Sequence, residues 1–132
     1  MISDLRKPNV RKVEPQGDHE ILLVEDELDV ADEVLLQQIR QITAEKRECH
    51  VWVDCSRMQC IRTRGFCHFI NQLLLLRRQH LSVLLLNPSV QLLNILSQLR
   101  LKPLFRMSPS LSKAYEWLQQ KDLKNNSSSY QS

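Results

Sequence analysis

With 132 residues, 42% of them apolar, and a net charge of +3, the chain has the size of one domain able to bury about two thirds of its unfolded surface. Aromatics supply only 5%, so the expected core is leucine, isoleucine and valine. No run of five basic residues occurs and the longest leucine run is four, so neither nucleic-acid binding nor a membrane span is supported.

Residues 1–8 read as a polar lead-in, and MISDLRKPNVRKV lacks the apolar region of a secretory leader, so the expected setting is cytoplasmic. The domain is expected over residues 9–120. Asn9 to Glu14 suits an edge strand that Pro15-Gln16-Gly17-Asp18 should stop. Glu20 to Val24 is a firmer strand, followed by Glu25-Asp26-Glu27. Asp29 is the expected N-cap of a helix reaching about Ala44, with Ala31, Leu35, Ile39 and Ile42 on its apolar face. Val51-Trp52-Val53 reads as a buried strand that Asp54 and Ser56 end with turn chemistry.

Beyond Met58 to Ile61 comes Arg62-Thr63-Arg64-Gly65, with Thr63 at the expected N-cap. Phe66, Phe69, Ile70, Leu73 and Leu74 then follow helical spacing. The helix over 66–79 is more apolar than one buried face needs. Leu75, Leu76 and Cys67 extend the stripe and leave only His68, Asn71, Gln72 and Arg78 as a polar side, so the extra leucines are either covered or a docking patch. Leu81 to Leu86 suits a strand covered on both faces. Asn87-Pro88 opens the next helix, striped by Leu92, Leu93, Leu96 and Leu99. Leu104 to Met107 is the last strand, and Ser108-Pro109-Ser110 starts a final helix with Leu111, Ala114 and Leu118. The polar segment 121–132 is expected to be a disordered Ser-rich tail. The order β-β-α-β-α-β-α-β-α predicts an α/β domain: a mixed, mainly parallel sheet of four or five strands, with Val51–Val53 internal and the helices on one side.

Several segments, in this order, resemble the STAS domain of anti-sigma-factor antagonists. Glu27-Leu28-Asp29 is similar to that family's GELD signature. Asp54-Cys55-Ser56 followed by Ile61-Arg62-Thr63-Arg64-Gly65 is similar to its DLSG…IDSSG segment. Leu84-Leu85-Leu86-Asn87-Pro88-Ser89 and Leu101-Lys102-Pro103-Leu104-Phe105 follow its later strand, helix and closing LF, so the resemblance spans about residues 20–118. It implies a non-enzymatic protein-binding module, with Thr63 in the place of the residue phosphorylated by a partner kinase. Asp29, Asp54, Ser56, Arg62, Arg64, Gly65, Phe66 and Cys67 would then form the partner-binding surface. The implied partner is an anti-sigma factor or related serine/threonine kinase. Alternatively, the chain is similar to the STAS accessory subunit of a bacterial phospholipid-transport ABC system, which binds that system's ATPase. Arg62 and Arg64 replace the family's acidic and serine neighbours, and Asp26 and Arg57 stand where it has glycines.

Two arginines beside a helix start are unfavourable by about 0.3–1 kcal/mol each and invite an anion, unless both lie in solvent or pair with Asp54 or Asp29. Thr63 either caps its helix or accepts a phosphate there, and the two roles are compatible. Cys49, Cys55, Cys60 and Cys67 lack the paired spacing of a zinc knuckle, so a metal or redox protein is the weaker alternative. His50 and His68 adjoin cysteines without an accompanying acid or oxyanion arrangement. With Gly17 and Gly65 the only glycines, a phosphate loop is excluded. No catalytic residue, metal or cofactor is therefore expected.

Overall fold

The computed structural model describes the backbone of residues 10–131 and the side chains of residues 10–121. The lead-in expected at 1–8 lies outside them, as do the side chains of the expected tail beyond Lys121.

The chain forms one five-stranded sheet in the order β1-β2-β3-β4-β5. Strand β1 (Val10–Gln16) runs antiparallel to β2 (His19–Val24), while β2, β3 (Glu48–Asp54), β4 (Ser82–Leu86) and β5 (Arg106–Ser108) are parallel neighbours. Helices α1 (Glu33–Ala44), α2 (Gln59–Arg77), α3 (Val90–Gln98) and α4 (Leu111–Gln131) alternate with the strands. The mixed, mainly parallel sheet and internal Val51–Val53 strand agree with the expectation. All six residues of β2 are buried, as are the last four of β4, because each strand has neighbours on both edges and helices on its faces.

The helices do not all lie on one side. Leu35, Ile39, Ile42, Phe69, Ile70, Leu73, Leu76, Leu92 and Leu96 pack from α1, α2 and α3 against Leu22, Val24, Val51, Val53, Val83 and Leu85. On the opposite face, Ala114 and Leu118 of α4 cover Ile21, Leu23, Trp52, Leu84 and Leu86. Period-2 alternation within strands that are apolar at every position demands this second layer. Trp52 is fully buried there, with Tyr115 edge-on at a centroid distance of 5.0 Å. The Tyr115 hydroxyl donates to the Glu14 carbonyl at 3.2 Å, tying α4 to the edge strand.

Several boundaries move for local reasons. Pro15 does not end β1; it sits on the edge strand at a register irregularity between Val13 and Gln16, where its missing N–H costs no regular pairing. Gly17-Asp18 makes the two-residue hairpin loop, with Gly17 at φ 58°. The cap of α1 is Asp32, whose Oδ1 accepts from Val34 N at 2.9 Å, and Asp29 instead bonds Ala31 N at 3.0 Å in the turn before it. Likewise Ser89, not Asn87, caps α3 by accepting from Leu92 N at 3.1 Å, while Asn87 adopts φ 50°. A 3-10 turn over Lys102–Leu104 delays the last strand to Arg106. Leu99 is the C-cap of α3 and largely exposed, outside the stripe expected for it. Of the residues that extend the stripe of α2, Leu76 is fully buried in the core, Leu75 is half-buried and Cys67 is exposed, so the surplus apolar surface is covered only in part.

Candidate functional site

The carboxyl ends of β2, β3 and β4 deliver three loops to one end of the sheet, where open α/β sheets place their sites. After β2, Asp26 takes φ 60° and its carbonyl accepts from Gln59 N, fastening this loop to the start of α2. Val30 N donates to Gln72 Oε1 at 2.9 Å, a second tie to the same helix. After β3, Asp54 Oδ1 accepts from Ser56 N at 3.0 Å and Ser56 Oγ at 2.6 Å. The Asp54 carboxylate therefore closes its own turn. Arg11, Glu25, Asp54, Ser56, Asn87 and Ser110 border a small cavity of about 220 Å³ at this end, with Arg11 Nε 2.8 Å from Glu25 Oε1.

Thr63 is not an N-cap. The cap of α2 is Met58, which makes no side-chain capping bond, and Thr63 lies about one turn into the helix. Its hydroxyl donates to the Gln59 carbonyl at 3.1 Å, the back-bond open to a threonine inside a helix. Two residues later Gly65, at φ 88° and ψ 173°, breaks the helix. A Cβ there would meet no atom within 4 Å, so the requirement for glycine is conformational rather than steric crowding. Thr63 therefore stands on a short first arc of α2, exposed, with Arg62 and Arg64 exposed on either side. Among the described residues neither arginine forms an ion pair, and Asp29 and Asp54 bond elsewhere. Cys67 is exposed beyond the break, and Phe66 is half-buried against the core.

The cysteines form no cluster. Cys49, Cys55 and Cys60 are buried and free, and burial is the main cause that pushes their thiols up to about 11, 12 and 11. Thiols so raised stay protonated at neutral pH, unlike the thiolate of a redox nucleophile. Among the described residues Cys49, Cys55, Cys60 and Cys67 do not come together as one group of ligand atoms.

At the opposite end of the sheet is a cluster the sequence reading did not assemble. The first residues of β2 and β3 bring His19, Glu48 and His50 together on the α4 face. His19 Nδ1 lies 2.8 Å from His50 Nε2 and 2.7 Å from Glu48 Oε2, which is 3.5 Å from His50 Nε2. Both imidazoles are buried, whereas the Glu48 side chain is 62% exposed. Burial, with the His19 charge second, lowers the His50 pKa to about 4, against an opposing pull from Glu48. Among the described residues its buried Nδ1 has no hydrogen-bond partner. No sequence signal joins His19 to His50, because the register of β2 on β3 is a tertiary property.

No protein-family model matches the chain, and no characterised protein matches it. Among the described residues no helix is long and apolar enough to cross a membrane.

Proposed function

We propose that the chain is a non-enzymatic regulatory module that binds a partner protein through the exposed first arc of α2 and is switched by phosphorylation of Thr63. The observation that carries this reading is the Thr63 hydroxyl, exposed between two arginines that form no ion pair among the described residues and donating to the Gln59 carbonyl of its own turn. The resemblance of Asp54-Cys55-Ser56 and Ile61-Arg62-Thr63-Arg64-Gly65 to the STAS acceptor segment supports the same assignment, as does the order of strands and helices. The partner class this favours is an anti-sigma factor or related serine/threonine kinase.

A phosphate on Thr63 adds about −1.5 to −2 charges at neutral pH. Arg62 and Arg64 flank that charge, so the fold tolerates it and the consequence falls on the partner. One like-charge contact at about 4 Å, in an effective dielectric of about 20, costs on the order of 4 kcal/mol. The flanking arginines offset part of this, leaving roughly a hundredfold weakening of an acidic partner. Phosphosite mapping by mass spectrometry, on the protein isolated from its native host, tests the assignment. Phosphate on Thr63 is expected; a Thr63 that stays unmodified in host cells and in incubations with the host's serine/threonine kinases contradicts the switch. Recovery of an ABC ATPase as the main partner would instead make the chain the transport-system accessory subunit.

A further inference from the structure

We propose that His19, Glu48 and His50 form a binding site for one divalent transition metal ion of the zinc class, at the end of the sheet opposite Thr63. The inference does not rest on the function proposed above.

Three atoms with lone pairs converge: His19 Nδ1, His50 Nε2 and Glu48 Oε2, separated by 2.7, 2.8 and 3.5 Å. Protons alone do not satisfy this meeting. If the proton of His19 is on Nδ1, it is aimed at two acceptors and serves only one of them well. If His50 donates from Nε2 to His19, then His19 Nδ1 and Glu48 Oε2 face each other as two acceptors at 2.7 Å. A single cation in the middle is attracted by all three atoms at once.

The geometry fits such an ion. A circle of about 1.8 Å radius passes through the three atoms, so an ion about 2.1 Å from each stands about 1 Å out of their plane. That is a tripod with an open fourth position, and two imidazoles with one carboxylate is a zinc-type ligand set. Ligand atoms around zinc normally stand somewhat wider apart: the exposed Glu48 side chain can swing outward, and the buried His19 and His50 rings, 2.8 Å apart, have to part by about half an ångström to take the ion. Glu48 and His50 also line a cavity of about 470 Å³, with Arg47, Gln79, His80, Ser82 and Lys121 around it, which gives the fourth position room for water.

Two features oppose the ion and set how tight it binds. Lys121 is close enough to act on His50 electrostatically. Arg47 is the other nearby cation, but it is taken up by Glu20 at 2.7 Å. Among the described residues the Nδ1 of His50 has no partner, so this ligand lacks there the outer hydrogen bond that usually strengthens a metal site. A modest affinity follows.

The test is titration of the tag-free full chain with cobalt chloride, followed by the visible absorption of low-symmetry cobalt and by zinc competition in calorimetry. One equivalent is expected. Glu48→Gln, on an exposed side chain, should keep the circular dichroism of the parent and weaken binding at least roughly tenfold. His50→Gln should weaken it further, and His68→Ala should leave it unchanged. Absence of saturable binding by the parent overturns the site, and so does equal affinity of the parent and Glu48→Gln, whatever His50→Gln does to folding.

Discussion

The two ends of the sheet satisfy their polar side chains in different ways. At the carboxyl end, Asp29, Asp54 and Thr63 each bond a group two to four residues away. At the amino end, His50 meets His19 across 31 residues, and Arg47 reaches the Gly17 carbonyl across 30. Local side-chain bonds shape the turns at the carboxyl end, while two longer ties, Gln59 N to the Asp26 carbonyl and Val30 N to Gln72 Oε1, hold the loop after β2 to α2. Long-range bonds at the amino end fix strand register, so any change there is felt by β2 and β3 together.

The largest effect expected from breaking this contrast comes at Gly65. Its backbone lies in a region that other residues enter only with strain. Gly65→Ala should lose about 1–3 kcal/mol in chemical denaturation, or else straighten the helix and carry Thr63 with it. An unchanged midpoint together with an unchanged helix break would show that Gly65 is not what shapes the Thr63 arc.

Next in size are the caps. Asp32→Ala should cost about 1 kcal/mol, because it leaves Val34 N without its acceptor. Asp29→Ala should cost less, since its bond to Ala31 N shapes a turn before the helix. Equal losses in parallel urea titrations would remove the distinction between cap and loop residue.

The smallest effect near neutral pH lies in the thiols. Only Cys67 should react with a thiol reagent in the native protein, with Cys49, Cys55 and Cys60 reacting on unfolding. Those three have folded pKa values of about 11, 12 and 11 against an ordinary 9.0, so the unfolded chain releases its thiol protons first. Their contribution to stability is therefore complete below about pH 9 and is lost as pH rises toward 11 and 12. Tyr115, raised mainly by burial, acts in the same direction. Denaturation midpoints that hold level from pH 8 to 11 would contradict this burial.

What the sequence showed follows the same division. The apolar runs at 51–53 and 81–86 predict internal strands because full burial leaves a continuous apolar record. The caps expected at Asp29 and Asn87 lie two or three residues from the observed ones, since several capping residue types stand close together and only backbone geometry selects between Asp29 and Asp32, or Asn87 and Ser89. The sequence places the helix start at Thr63, about one turn late, because Met58 starts the helix without a side-chain cap and so leaves no residue signal. The His19, Glu48 and His50 cluster was illegible for a different reason: it exists only once β2 and β3 are in register.

The proposed switch puts the partner on the Thr63 arc and not on the opposite end of the sheet. Quantitative affinity capture from the native host, with wild type, Thr63→Ala, Thr63→Glu and Glu48→Gln as baits, tests it most directly. One protein should be held by wild type, Thr63→Ala and Glu48→Gln, and depleted on the order of a hundredfold by Thr63→Glu. Equal capture by Thr63→Glu, or selective loss with Glu48→Gln alone, would contradict it.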